Sequence, residues 1–234
     1  PEGIDQVDVS VLGKSKNKKI NWNIGLFHNN VFDAIKMKPI PSTNYAQHRN
    51  VDKYNIYGAI ANFKYKTEKF RFNINGNYTN PRLISDDKKI RIADISQFKI
   101  NAGFTKIFEL KNISGSVNIR GNYISSRPVG AETTVPNNPG LENTSEIPEH
   151  FLLNSNLMLK HNKIPNVYLS FKINNILNTI YYHPGIRNAN SIFDLQDDAS
   201  GNYSNWYSNT ISNKNSPYII QEPQNYMLKL IFDM

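Results

Sequence analysis

The chain has 234 residues, with 27 Lys and Arg against 19 Asp and Glu, giving a formal net charge of +8. Only 39% of it is hydrophobic, and no apolar run approaches the ~18 residues of a membrane-crossing helix, which excludes a helical membrane protein. The same composition admits a membrane barrel, whose strands show only every second side chain to lipid. Cys is absent, which suits an exported and a cytosolic protein alike, and a start at Pro1 instead of Met is expected of a piece of something longer.

Period-two alternation of apolar and polar residues runs the length of the chain. Val7, Val9 and Val11 share one face of a first strand, and Ile20, Trp22, Ile24 and Leu26 one face of a second. The turn between them holds Lys14, Lys16, Lys18 and Lys19, the one dense basic cluster, read as a solvated turn. Gly13-Lys14-Ser15 is not the end of a phosphate loop, because Asp8 occupies the place of the required earlier Gly. A third strand carries Ala59, Ala61, Phe63 and Tyr65. The fourth sets Phe70, Phe72, Ile74, Gly76 and Tyr78 against Arg71, Asn73, Asn75 and Asn77.

The fifth strand sets Phe98, Ile100, Ala102 and Phe104 against Lys99, Asn101, Gly103 and Thr105. The sixth sets Ile113, Gly115, Val117, Ile119, Gly121 and Tyr123 against Ser114, Ser116, Asn118, Arg120 and Asn122. Leu153, Ser155, Leu157 and Leu159 mark a seventh, and Val167, Leu169, Phe171 and Ile173 an eighth, opposed by Tyr168, Ser170, Lys172 and Asn174. In the last, Tyr226, Leu228, Leu230, Phe232 and Met234 oppose Met227, Lys229, Ile231 and Asp233. No amphipathic helix is predicted.

Short links (13–18, 66–69, 109–112, 161–166) alternate with long ones (39–50, 80–96, 125–149, 183–224). That spacing predicts an all-β, antiparallel up-and-down transmembrane barrel with all long loops at one end. Tyr65, Phe108, Tyr123 and Tyr226 lie near strand ends, where an interfacial aromatic belt sits. Two rivals share the alternation: a small passive outer-membrane barrel, and a soluble secreted carbohydrate-binding β-sandwich.

Catalytic chemistry has no foothold. There is no Gly-x-Ser-x-Gly elbow, and Asp86-Asp87 and Asp197-Asp198 are adjacent loop carboxylates without the separate environments an acid/base pair needs. No two of His28, His48, His150, His161 and His183 have helical metal-ligand spacing. His28 and His183 fall near long-loop strand ends, where they meet either solvent or an iron complex or haem. The candidate ligand contact is the last long loop, with Tyr181, Tyr182, His183, Arg187, Phe193, Tyr203, Trp206 and Tyr207. Aromatic faces with an arginine suit an aromatic or anionic chelate, and equally suit a loop packed on itself.

The run Leu169 to Tyr182, with Asn175-Ile176-Leu177-Asn178 followed by Tyr181 and Tyr182, resembles the penultimate strand of TonB-dependent outer-membrane receptors. The early segment from Asn21 to Ile35, ending Asp33-Ala34-Ile35, and Tyr57-Gly58-Ala59 opening a strand are similar to the same family. Met234 in place of a terminal Phe, and Ile60 in place of a frequent charge, depart from it. The resemblance implies that residues 1–234 are the C-terminal portion of a receptor barrel of about 22 strands, without the plug domain. It further implies a Gram-negative outer-membrane location and energy-coupled uptake of a nutrient complex. Siderophore-iron is expected first, then haem, cobalamin or another chelate. The implied partners are outer-membrane lipid and lipopolysaccharide, the TonB complex through the plug region and a metal-chelate ligand. No enzyme activity, resident metal, cofactor or nucleic acid is implied.

Overall fold

The structure, a computed structural model, describes residues 2–39, 46–85, 88–92, 95–128, 134–135, 138–142, 146–164, 166–184 and 218–232. Nine long strands dominate: β1 (Gly3–Lys14), β2 (Ile20–Pro39), β3 (Ala46–Lys66), β4 (Phe70–Ser85), β5 (Phe98–Glu109), β6 (Ile113–Ile124), β7 (His150–His161), β8 (Val167–Asn174) and β9 (Asn225–Phe232). Each pairs antiparallel with the next in chain order, forming one continuous meander. Among the described residues there is no helix, and β1 and β9 each have one neighbour. The barrel wall is open, not closed on itself.

Register carries the alternation across the sheet. One outward row runs Val11, Ile24, Ala61, Gly76, Ile100, Tyr123 and Phe151 from β1 to β7. Leu169 and Leu230, and Phe171 and Leu228, continue the outward face across β8 and β9. The inward face one residue along is amide-rich, with Asn23, Asn62, Asn75, Asn101 and Asn122 in a single row over five strands. Asn101 Nδ2 donates to Asn75 Oδ1 at 3.0 Å, and Asn122 Nδ2 donates to Asn101 Oδ1.

Among the described residues, the apolar face meets no second layer. Packing runs between hydrogen-bonded neighbours, and the buried apolar residues among those described are Ala34, Leu83 and Ile147. Val9 is 63% exposed, Leu26 62% and Leu228 68%, which a water-soluble sandwich would bury. Each such side chain left in water forfeits about 1.5–3 kcal/mol. A hydrocarbon surround removes that cost and leaves the polar face to line the interior. Aromatic pairs flank the belt: Tyr78 on Phe98 at 4.8 Å towards the long-loop end, and Phe70 on Phe104 at 6.0 Å towards the short-turn end.

Two connections read as long loops, 39–50 and 80–96, are partly sheet. β2 and β3 stay paired as far as Pro39 and Ala46, past a register shift beside Asp33, whose φ is 56°. The extra residue of such a bulge flips the faces, so the period-two signal breaks although the pairing continues. β4 likewise runs on to Ser85 and pairs with a short strand, Lys88–Arg91. Pro81, a strand breaker by sequence, falls between the end of the β5 ladder at Tyr78 and the start of the short-strand ladder at Arg82.

Candidate ligand-binding rim

The last long connection starts in a turn that its own side chains lock. Asn175 and Asn178 have φ of 51° and 49°, the left-handed region that Asn tolerates better than most residues. Asn175 closes the turn from both sides: its Nδ2 donates to the Thr179 carbonyl and its Oδ1 accepts from Thr179 N–H, each at 2.9 Å. Outward bonds then fix the turn to both neighbouring strands. Asn175 N–H donates to Asn154 Oδ1 at 2.9 Å and Thr179 Oγ1 to the Phe151 carbonyl at 3.0 Å, both on β7. On the β9 side, Gln224 N–H donates to Asn178 Oδ1 at 3.1 Å and Gln224 Nε2 to the Ile176 carbonyl at 3.0 Å.

From that anchor the chain enters a small rim structure at the long-loop end. Tyr182–Pro184 pairs antiparallel with Tyr218–Ile220, and Gln221 N–H donates to the Tyr181 carbonyl at 3.0 Å. The preceding connection supplies the other side, where Arg127–Pro128 pairs with Glu146–Ile147. Arg127, 5% exposed, reaches across with Nη2 to the Tyr182 carbonyl at 3.2 Å. The Tyr181 ring lies 5.0 Å from that of His150, inclined at 37°, and His150 is 5% exposed. Ile147 is fully buried beneath. Two loops far apart in sequence are thus joined by a guanidinium, a ring contact and one apolar anchor. A charged donor to a carbonyl contributes about 1.5–3 kcal/mol, and leaving it unmade in a buried place costs a similar amount.

Of the residues the sequence singles out, Tyr181 and Tyr182 come together here, both half-buried, and the backbone of His183 pairs with that of Ile219. Arg187, Phe193, Tyr203, Trp206 and Tyr207 lie outside the described residues. No sequence period marks the rim roles of Arg127, Ile147 and His150, which sit in two-residue ladders or at a strand start. The sequence signal for them is slight: an Arg-Pro and a Pro-x-His bracketing one long loop. His28 is at the long-loop end but on the outward face, paired with Val7 and Tyr57, its Nε2 2.8 Å from Asn55 Nδ2.

The profile of the family described as TonB dependent receptor-like, beta-barrel matches residues 1–176. Among solved structures, the ferric yersiniabactin uptake receptor FyuA from Yersinia pestis superposes with a TM-score of 0.69 at 10% identity, covering 100% of this chain and 30% of that one. FpvA of P. aeruginosa, in complex with a heterologous iron-pyoverdine, gives 0.67 at 12% identity, covering 100% and 27%. The copper transporter OprC gives 0.66 at 15%, covering 100% and 32%. The chain therefore spans less than a third of each solved receptor, and at these identities the likeness establishes the fold. No curated protein matches the chain by sequence.

Proposed function

Because the chain belongs to the TonB-dependent receptor β-barrel family, we propose that it forms the C-terminal portion of an outer-membrane receptor that takes up a nutrient complex by energy coupling. The observation that carries this reading is the inverted face pattern, with apolar rows exposed on a single-layer sheet and amides and cations on the other side. On this reading the short turns face the periplasm of a Gram-negative cell, the rim faces outside, and outer-membrane lipid and lipopolysaccharide surround the belt. β1 and β9 pair with further strands of the same barrel, because each unpaired backbone group in hydrocarbon costs several kcal/mol. The TonB complex acts through a plug encoded elsewhere in the receptor.

The cargo proposed is a metal chelate, an iron-siderophore first. Solved neighbours named for ferric yersiniabactin, ferric catecholate, iron-pyoverdine and copper support that class. Tyr181, Tyr182, His183, Arg187, Tyr203, Trp206 and Tyr207 are the proposed contacts, stacking on ligand rings and countering ligand charge. The test is uptake of radiolabelled ferric chelates by a Gram-negative host lacking its own receptors and expressing the full-length protein with a matching TonB. Uptake that collapses without TonB is expected. Uptake indifferent to TonB would identify a passive pore and overturn the proposal.

A further inference from the structure

The outward face changes character towards its long-loop end. From β1 to β5 the row Val9, Leu26, Ala59, Tyr78 and Phe98 is still apolar. Two residues further along β2 to β4 the row reads His28, Tyr57 and Asn80. Two further, and on to the short strand beside β4, it reads Asn30, Asn55, Arg82 and Arg91. Arg82 lies four residues past Tyr78, ~14 Å along the strand and ~10 Å in depth at the ~40° tilt of barrel strands. That is beyond the hydrocarbon and among lipid headgroups. β3 and β4 have described neighbours on both sides. Further strands of a barrel extend the wall from β1 and β9, and a plug fills the opposite face, so neither covers these rows.

Asn80, 7% exposed, ties the patch together. Its Nδ2 donates to the Tyr57 hydroxyl, and its Oδ1 accepts from Arg82 Nε at 2.9 Å. The guanidinium is thereby held in place through Nε, and its two Nη groups have no partner among the described residues. That fork suits the paired oxygens of a phosphate. Tyr57, accepting from Asn80, keeps its own hydroxyl proton to donate. Arg91 stands directly opposite Arg82, and like charges so placed destabilise a sheet unless an anion joins them. One row out, Lys53 and Lys89 flank Ile84, and both are exposed. The carboxylate of the Arg82 row is Asp5, three strands away at ~14 Å.

We propose that this patch binds the phosphorylated sugar headgroup of an outer-leaflet glycolipid, with Arg82 and Arg91 on a sugar phosphate and Tyr57 donating to a sugar oxygen. Lys53 and Lys89 meet the anionic groups next to it, and the acyl chains lie along the apolar rows below. From Asn30 to Arg91 the polar row spans three strand spacings, ~14 Å, and mixes amides with cations. Such a row suits a sugar with several hydroxyls and phosphates better than a single phospholipid phosphate. That this end faces the outer leaflet rests on the receptor reading above, whereas the patch itself rests only on the residues named.

Lipid titration tests it. The full-length receptor, purified in detergent and stripped of lipid, is titrated with bisphosphorylated lipid A, and bound lipid is counted by native mass spectrometry. Arg82→Gln should raise the half-saturating concentration about tenfold, the value of one charged hydrogen bond. Lys106→Gln, on the same outward face opposite Phe70 at the short-turn end, should leave it unchanged. Lipid A stripped of its phosphates should bind the parent no better than bisphosphorylated lipid A binds Arg82→Gln. Heat-modifiable migration checks assembly, and should Arg82→Gln fail to assemble, the exposed pair Lys53→Gln and Lys89→Gln carries the same test. Unchanged binding by these variants overturns the site. So does equal binding of the phosphate-free lipid, or phosphatidylglycerol bound as tightly as lipid A. Failure of TonB-dependent uptake would sink the transport reading and leave the lipid titration standing.

Discussion

Placing a charge on the outward face and removing one from the inward face of the same strand separates a lipid-facing wall from any soluble sheet. On β9, Tyr226, Leu228, Leu230 and Phe232 face outward and Met227, Lys229 and Ile231 inward. At ~3.4 Å per residue the four outward residues span ~20 Å, close to the ~25 Å of an apolar barrel band. Leu228, 68% exposed and opposite Phe171, is well inside both rims of that band. Leu228→Arg should therefore cost about 2–4 kcal/mol, roughly 30-fold or more in the folded-to-unfolded ratio. If water bathed that face, the same change would fall within about 0.5 kcal/mol. Lys229→Leu, one residue along, should cost far less, because it introduces no charge into lipid. The assay is reversible urea unfolding of the full receptor in lipid vesicles, followed by tryptophan fluorescence, with heat-modifiable gel migration as a check on assembly. A Leu228→Arg variant as stable as the parent, or a Lys229→Leu variant just as damaged, would refute the orientation argued here.

Four further outcomes are expected. A Cβ at Gly115 would lie 2.4 Å from the Met158 carbonyl, so Gly115→Ala should destabilise the barrel by about 1–3 kcal/mol. Gly76→Ala, whose Cβ meets Ile100 at an ordinary 3.6 Å, should be neutral or slightly stabilising in the same unfolding series. Asn175→Ala removes both bonds to Thr179 at a left-handed position, so limited proteolysis should cut between β8 and β9 faster, with heat-modifiable migration kept. Arg127→Ala unties the two rim loops and should weaken chelate binding by the full receptor about tenfold by equilibrium titration, again without loss of the barrel.

All nine long strands were legible because each side chain of a wall between lipid and lumen obeys the same two-fold rule. The face of Phe70, Phe72 and Ile74 and that of Arg71, Asn73 and Asn75 are told apart by composition alone. The rule fails wherever a strand stops being such a wall. Beyond Asp33, β2 leaves phase by a bulge, so the stretch Ala46–Asn50 that pairs with its far end reads as loop. The rim was half legible. Tyr181 and Tyr182 stand out as aromatics after an Asn-x-x-Asn turn, whereas Arg127 acts through one bond to a backbone carbonyl that no local pattern announces. The lumenal cations were visible as mid-strand charges.

The asparagine row bears on how such a wall finds its correct alignment. Asn75, Asn101 and Asn122 are mutual partners only when three successive ribbons meet without offset. Sliding one ribbon by a single position would break those amide contacts and swing its whole polar set into acyl chains. A one-residue slip would thereby be penalised twice, once in the amide contacts and once in polar groups turned to hydrocarbon.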